Sequence, residues 1–166
     1  MATTTFISVT DTSPQAWKYI SEGGATIVFT YVGPSHPHFN GTVLRLRKTT
    51  SSHDTSVQDG EDRETQDESD DPSIEFQKKC IERLLPSEHL PRLESIHVDR
   101  GWLEALATLH DGERPYERRH RDHIDLSRTK AVLATDLVGG EWLAVEIKVR
   151  FSVTTPRNQL KYAHSE

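Results

Sequence analysis

Three consecutive segments rich in β-branched and aromatic residues constrain the fold of this chain more than any other feature. They are residues 17–20 (WKYI), 26–32 (TIVFTYV) and 42–48 (TVLRLRK). This composition is typical of β-strands, and the alternation of leucine with arginine in the third segment indicates one buried and one open face. Because a double-glycine turn and a loop of Gly, Pro, His and Asn connect them, the segments are predicted to be neighbouring antiparallel strands.

Two helices are predicted after these strands. Asp71 and Pro72 are a typical N-cap and first helical residue, and apolar residues at helical spacing follow until Pro86 ends the helix. Those apolar residues are Phe76, Cys80, Ile81 and Leu84. Asp99 is predicted to cap a second helix that closes near Gly112. The apolar residues of that helix are Trp102, Leu106 and Leu109.

Two further strands complete the predicted order. A basic loop over residues 113–130 precedes a short apolar strand at 131–135 (AVLAT). Residues 141–153 (EWLAVEIKVRFSV) alternate between apolar and polar positions, as a half-buried strand does. The order of three strands, two helices and two strands predicts the α+β class, with a mainly antiparallel sheet and the helices on one side.

Negative charge is concentrated in residues 49–73. That stretch holds nine of the 26 acidic residues and one of the 20 basic residues, so the remainder has 17 acidic and 19 basic residues. Only 34% of the chain is hydrophobic, which is lean for a core of this length. We therefore expect a disordered acidic insert at 49–73, a flexible N-terminus over 1–16, a folded unit over 17–153 and an unstructured tail over 154–166.

The cysteine count and the apolar runs bound the cellular setting. The single cysteine, Cys80, excludes an internal disulfide and gives no zinc-ligand spacing. The N-terminal residues lack a basic stretch followed by an apolar one, so no secretory signal is predicted. No apolar run approaches the roughly 20 residues of a membrane span. These features predict an intracellular protein, in the nucleus or the cytoplasm, with no membrane partner.

Three groups of residues have the chemistry to bind a nucleotide or an anion. The glycine pair of the SEGGA turn would let backbone N–H groups approach phosphates, and Arg45 is a mid-strand cation suited to pairing with them. Glu146, Lys148 and Arg150 share one strand face at period two, with a carboxylate for a ribose hydroxyl and two cations for an anionic substrate. The alternatives are an ordinary hairpin turn, a solvated arginine and a salt-bridged surface strip.

The stretch 114–128 (RPYERRHRDHIDLSR) contains five arginines, a density that suits phosphate or nucleic-acid binding. Interleaved acids favour a self-paired surface instead, so nucleic acid is not the expected partner. His120-Arg121-Asp122 spells the protein-kinase catalytic tripeptide, but no Asn follows at the required offset and no DFG exists. His120 and His123 do not predict a metal site because the sequence places no third ligand beside them.

Taken together, these segments resemble the inositol-pentakisphosphate 2-kinase family, its fungal branch in particular. The matching pieces come in the family's order over about residues 17–148 and leave the acidic insert unmatched. They are WKYISEGGATIVFTYVGPS, FNGTVLRLRK, the helix ending ERLLPSEHL, ERPYERR with IDLSRTKAVLATDLVGG, and LAVEIK. Because several segments match in order, this signal is more specific than any single motif.

This resemblance implies a kinase-like N-lobe that binds ATP, with Mg²⁺ as cofactor. It implies phosphorylation of inositol 1,3,4,5,6-pentakisphosphate at the 2-hydroxyl to give inositol hexakisphosphate. The implied ATP-binding residues are Gly23, Gly24, Ala25, Thr26, Arg45, Thr135, Asp136, Leu137 and Glu146. The first four match the glycine loop, the arginine matches the strand cation, the next three match the hinge at adenine, and the glutamate matches the ribose ligand. The implied substrate-binding residues are Arg118, Lys148 and Arg150.

The sequence departs from the family after Glu146. The family pattern E-x-K-P-K is represented only by Glu146-Ile147-Lys148, which Val149 and Arg150 follow. The second lobe, with aspartates expected to act as base and to bind Mg²⁺, is missing from the match, so we expect ATP binding without phosphoryl transfer, as in a truncated form. The alternatives are a non-catalytic nucleotide- or anion-binding module and, third, a nucleic-acid-binding protein.

Overall fold

The computed structural model describes residues 7–50 and 68–139. Within these ranges the chain forms six strands and three helices, which confirms the α+β class. The strands are β1 Trp17–Glu22, β2 Thr26–Tyr31, β3 Thr42–Thr50, β4 Leu93–His97, β5 Asp122–Ile124 and β6 Lys130–Thr135. The helices are α1 Pro72–Lys79, α2 Arg100–His110 and α3 Tyr116–Arg119. Short 3-10 helices lie at Val9–Asp11, Pro14–Ala16, Ile81–Arg83, Ser87–His89 and Asp111–Glu113.

The strands form one antiparallel sheet in the order β1-β2-β3-β6-β4, with β5 paired to β3 beside this path. The first three strands are neighbours in this sheet, in agreement with the predicted antiparallel arrangement. On the side away from β2, β3 has two successive partners: it pairs with β6 from Thr42 to Arg45, and with β5 from Lys48 to Thr50. The sheet therefore divides beyond Arg45, because β3 follows β5 there instead of β6.

The two faces of β3 differ as its leucine–arginine alternation predicts. Leu44 and Leu46 are 0% and 3% exposed, whereas Arg45 and Arg47 on the other face are only half-buried. The leucine face belongs to a continuous hydrophobic core that joins the sheet to α2. Its largest members include Trp17, Ile27, Phe29, Phe39, Ile96, Trp102, Leu103, Leu106 and Leu133. The arginine face is thus the one that remains available for binding.

The N-cap of helix α2 is as predicted, although Leu109 of that helix is 45% exposed, and α1 is shorter than predicted. Asp99 caps α2 by accepting a hydrogen bond from the Trp102 amide at 2.8 Å. α1 ends at Lys79, and two of the apolar residues expected on its buried face are exposed, Phe76 by 58% and Leu84 by 76%. Ile74 is its buried residue. Helical spacing of apolar residues does not by itself say which face a neighbouring element covers.

Residues 7–16 pack against the sheet, whereas the sequence predicts a flexible terminus over 1–16. Val9 is fully buried in the core, and Ser8 bridges to His97 of β4. Thr12 contacts two indoles, because its hydroxyl accepts a hydrogen bond from Trp17 and its carbonyl accepts one from Trp102, both at 2.8 Å. Ile7 and Val9 are apolar residues among polar ones and are too few to show a periodicity, which is why the pattern gave no sign of this packing.

The remaining differences concern two regions with weak patterns. The predicted loop 113–130 contains α3 and β5, and β4 was not predicted at all. The ends of the predicted insert, Thr49–Thr50 and residues 68–73, have defined positions, since the first two extend β3 and the others lead into α1. Residues 51–67 of the insert, the predicted strand 141–153 and the tail 154–166 lie outside the described residues. Among the helices that are described, none is long and apolar enough to cross a membrane.

Candidate nucleotide-binding site

The turn between β1 and β2 presents an open stretch of backbone. It is closed by a hydrogen bond from the Gly23 amide to the Thr26 carbonyl at 2.9 Å. Gly23, Gly24 and Ala25 are all exposed. Neither glycine has a positive φ, and a Cβ built on either would meet nothing within 4 Å. The fold therefore does not require glycine at these positions, and the space above the turn is free for a ligand to approach the backbone.

Arg45 lies in the middle of the sheet face opposite the core. It pairs with Val28 of β2 and Val132 of β6, and directly paired residues share a face of the sheet. Val132 is 4% exposed, so the guanidinium extends from apolar surroundings. The side chain of Arg45 forms no hydrogen bond or ion pair with any other described residue. A half-buried cation of this kind retains its capacity to bind an anionic group.

The segment that follows β6 is held by the carboxylate of Asp136. One carboxylate oxygen accepts a hydrogen bond from the Thr30 hydroxyl at 2.6 Å. The other accepts hydrogen bonds from the amides of Val138 at 2.9 Å and Gly139 at 2.6 Å. Burial alone would raise the pKa of Asp136, but the hydrogen bonds from Thr30, Gly139 and Val138 outweigh it and lower the pKa. A Cβ at position 139 would overlap this carboxylate, so glycine is needed there.

The three predicted hinge residues therefore differ in which of their groups are available to bind a ligand. Thr135 is bonded to the neighbouring chain, because its hydroxyl accepts a hydrogen bond from the Arg92 amide at 2.9 Å. The carboxylate of Asp136 is used within the segment, as its three hydrogen bonds show. Leu137 is 61% exposed. An adenine at this segment would consequently meet the backbone and the Leu137 side chain rather than the polar side chains.

Arg118 connects two predicted parts of the site that are far apart in sequence. From the short helix α3 its Nη1 donates a hydrogen bond to the Gly23 carbonyl at 2.8 Å. This contact places a predicted substrate cation beside the predicted phosphate loop. Only one guanidinium nitrogen is used in it, so the group keeps further N–H donors for a bound phosphate. The two predictions are thereby brought to one end of the sheet.

A buried cluster of four charges supports this end of the sheet, and sequence reasoning missed it. The Lys48 ammonium lies 3.1 Å from Glu22 and 2.9 Å from Asp122. The Arg114 guanidinium lies 2.9 Å from the same glutamate and 3.0 Å from the same aspartate. All four side chains are between 1% and 6% exposed. The cluster ties the residue before the glycine turn to β3, to β5 and to the chain entering α3.

Both carboxylates in this cluster are held in their charged form. Burial would raise the pKa of Glu22, but hydrogen bonds from Arg114 and Lys48 outweigh it and lower the pKa. Burial acts in the same direction on Asp122, and hydrogen bonds from Lys48 and Arg121 lower its pKa. One sequence signal could have revealed the cluster: Lys48 stands at period two from Leu44 and Leu46, on the buried face of the strand.

In the arginine-rich stretch 114–128, three arginines form ion pairs with acidic residues. This agrees with a self-paired surface and not with a single phosphate- or nucleic-acid-binding one. Arg114 is buried in the cluster described above. Arg121 lies 3.2 Å from Asp122, and Arg128 pairs with Glu68 and Asp125 at 2.6 and 3.3 Å. The arginines therefore do not form one continuous exposed basic patch.

Three predicted site residues, Glu146, Lys148 and Arg150, lie outside the described residues. Among residues 7–50 and 68–139, no three metal-ligating side chains come together. ATP has candidate contacts there, because the glycine turn, Arg45 and the segment after β6 each leave groups available to a ligand.

Comparison with known proteins decides the family. Residues 19–164 match the family described as Inositol-pentakisphosphate 2-kinase. The chain belongs to the inositol-pentakisphosphate 2-kinase family. This confirms the resemblance inferred from the ordered segments. The match begins in β1 and includes the glycine turn, Arg45, Arg118 and the segment after β6.

Curated relatives of the inositol-pentakisphosphate 2-kinase family show how much of such a protein this chain represents. Two proteins named Inositol-pentakisphosphate 2-kinase, from Cryptococcus neoformans var. neoformans serotype D strains JEC21 and B-3501A, are each 29% identical to it over 147 residues. Each alignment covers 85% of this chain and 33% of the relative. The chain thus spans about a third of the length of these curated relatives.

Proposed function

We propose that this chain is the ATP-binding part of an inositol-pentakisphosphate 2-kinase. The proposed reaction of the whole enzyme transfers the γ-phosphate of ATP to the 2-hydroxyl of inositol 1,3,4,5,6-pentakisphosphate. The hydroxyl oxygen forms the new bond to phosphorus, the bond between the β- and γ-phosphates breaks, and the hydroxyl proton is released. The products are ADP and inositol hexakisphosphate. Family membership favours this function over a non-catalytic binding module.

The observation that carries the proposal is the position of Arg45 on the sheet face opposite the core, where its side chain pairs with no other described residue. Arg45 is two residues along β3 from Arg47, whose cross-strand partner is Thr26 at the end of the glycine turn. Two residues of a strand span roughly 7 Å, a distance that two phosphates of one nucleotide can bridge. The guanidinium would neutralise phosphate charge while the exposed amides of the turn donate hydrogen bonds.

The proposed roles of the other residues follow from their surroundings. Val28 flanks Arg45 on the same face and is only half-buried, so it would pack against an apolar part of the nucleotide. The backbone after β6 would hold adenine beside Leu137. Arg118, bonded to the Gly23 carbonyl, would direct its remaining N–H groups at a phosphate of the inositol. Mg²⁺, when bound in the whole enzyme, would neutralise charge on the transferring phosphate.

Calorimetric titration with ATP tests the proposal on this chain. Arg45→Ala is expected to weaken ATP binding by about tenfold to a hundredfold, the equivalent of one lost charge-assisted contact. Arg45→Lys is expected to recover part of the affinity because it keeps the charge. Arg83→Ala is the matched control, since Arg83 is an exposed arginine in a different part of the fold. ATP binding that is equally tight in the wild type and Arg45→Ala would contradict the proposal.

A further inference from the structure

A notch opens where β3 leaves β6, on the arginine side of the sheet. β3 and β6 pair as far as Arg45 and Val132, and β3 then follows β5. The start of β6 and the residues before it therefore have no β3 neighbour in the ladder. A cavity of about 460 Å³ lies here. On the sheet side it is lined by Ala25, Arg47, Lys48, Arg128, Lys130 and Ala131.

The carboxylate of Glu68 occupies the edge of this notch and receives four donors. Its Oε2 accepts hydrogen bonds from the Thr129 amide at 2.7 Å, the Thr129 hydroxyl at 2.8 Å and the Lys130 amide at 3.1 Å. Its Oε1 accepts one from Arg128 Nη1 at 2.6 Å. Two successive backbone amides, a hydroxyl and a guanidinium converging on one anion are the donor set of a phosphate-binding site.

The neighbouring cations of the notch are matched by carboxylates of the same short segment. Asp71 lies 2.7 Å from Arg47, and Asp70 lies 3.7 Å from Lys130. With Glu68 opposite Arg128, each of three cations faces one acid from residues 68–71, which we call the acidic anchor. The anchor thus places its carboxylates against cations that line the notch.

The two ends of the acidic anchor serve different purposes. Asp71 also caps α1, because its carboxylate accepts hydrogen bonds from the amide of Ser73 at 2.9 Å and from its hydroxyl at 2.6 Å. Glu68 caps no described helix: its hydrogen-bond partners among the described residues are Arg128, Thr129 and Lys130. Its side chain is 21% exposed, and that of Arg128 is 45% exposed. Solvent can therefore reach the hydrogen-bond donors of residues 128–130.

We propose that residues 128–130 form a binding site for a phosphate group, and that Glu68 occupies it in cis and competes with phosphorylated ligands. The site is separate from the proposed ATP contacts at Arg45, and it stands even if those contacts are wrong. A phosphate dianion offers three oxygens to the donors that now share the two oxygens of Glu68. Asp125, 3.3 Å from Arg128, limits the affinity for a small anion.

NMR titration of the whole chain with inorganic phosphate tests this site, with the amide signals of Thr129 and Lys130 as the readout. Glu68→Ala is expected to bind phosphate at these amides with an apparent Kd on the order of tenfold lower than the wild type, because one charge-assisted occupant is removed. Glu75→Ala is the matched control. It removes the same charge from an exposed pair with Lys79 on α1 and is expected to leave the apparent Kd at the two amides as in the wild type.

Two further variants keep the proposal falsifiable. Glu68→Gln keeps the size of the side chain, removes its charge and is expected to behave like Glu68→Ala if the latter folds poorly. Adding Arg128→Ala to either variant is expected to abolish the phosphate response. The proposal is overturned if the Thr129 and Lys130 amides show no saturable response in either Glu68 variant. It is equally overturned if Glu75→Ala raises the affinity as much as Glu68→Ala.

A second titration identifies the source of the phosphate group. Inositol pentakisphosphate is added to Glu68→Ala in place of inorganic phosphate, with the same two amides observed. Saturation at a concentration at least about tenfold lower than for inorganic phosphate would assign the site to an organic polyphosphate, which the neighbouring cations also attract. Equal affinities would assign it to a single free phosphate. Either result supports the anion site, and absence of both responses overturns it.

Discussion

Two adjacent residues of β3 form ion pairs that differ in burial. Lys48 is 2% exposed and belongs to the buried cluster with Glu22, Arg114 and Asp122. Arg47, one position earlier on the other face, is 32% exposed and pairs with Asp71 of the acidic anchor. The buried pairs cannot exchange partners with water, so they stabilise one arrangement of the glycine turn. The partly exposed pairs can exchange, which is the property that a ligand-binding surface needs.

The largest expected effect comes from removing one cation of the buried cluster. Lys48→Met leaves two buried carboxylates with one remaining cation, and we expect it to lower the free energy of unfolding by about 3–5 kcal/mol. Arg47→Met is the control on the exposed side and is expected to cost about 1–2 kcal/mol. Urea unfolding followed by circular dichroism measures both. Equal losses in the two variants would remove the distinction between the clusters.

The acid sensitivity of the exposed side depends on Asp71. Burial would raise its pKa, but hydrogen bonds from Arg47 and Ser73 lower it from 3.8 to about 2. Because the folded-state pKa is the lower one, its contribution is present above about pH 4 and is lost as the pH falls towards about 2. The shift corresponds to about 2 kcal/mol at most.

Asp71→Asn tests this contribution because asparagine can still cap the helix. We expect the free energy of unfolding of the wild type to fall by about 2 kcal/mol more than that of the variant between about pH 5 and about pH 2. Unfolding in urea across that range measures the difference. Asp70→Asn is the control, since Asp70 lies 3.7 Å from Lys130 and is 37% exposed. Parallel acid profiles for the wild type and Asp71→Asn would show that the Arg47–Asp71 pair contributes nothing to acid stability.

The smallest expected effect belongs to Glu68. Its pair with Arg128 is partly exposed, so Glu68→Ala is expected to cost less than about 1 kcal/mol in low salt. The difference should shrink further in about 1 M NaCl, where the Debye length is about 3 Å. Denaturant unfolding at the two salt concentrations measures both values. A salt-independent loss of several kcal/mol would place Glu68 with the structural pairs and not with the exchangeable ones.

The features that could be predicted are those that depend on residues close together in the sequence, such as strand patterns and helix caps. The three consecutive strands, the strand at 131–135 and the Asp99 cap are all present as predicted. The position of Arg45 on the open face also follows from the alternation around it. β4 was missed because five residues with two strong apolar positions give too short a pattern. α1 was overextended because the spacing of Phe76 and Leu84 was helical, although neither residue meets a covering element.

In the candidate site, too, some features were predictable from the sequence and others were not. Gly23, Gly24, Arg45 and Arg118 were named from the sequence, through their types and through the family resemblance. The contacts that the side chains of the site make with distant parts of the chain were not predictable. Arg118 reaches the Gly23 carbonyl across 95 residues of chain, and Asp136 uses its carboxylate on Thr30 across 106 residues. No local pattern records such contacts.

By itself, the sequence determined the alternation of β3, the helix caps, the concentration of acid in residues 49–73 and the family to which the chain belongs. These depend on spacing, residue type and order along the chain. Only the tertiary structure determines that Lys48 belongs to a buried cluster, whereas Arg47 pairs with the partly exposed carboxylate of Asp71. The reason is that Glu22, the partner that both cations share, lies 26 residues from Lys48 and 92 residues from Arg114. The strength of an ion pair also depends on burial, which the folded sheet alone sets.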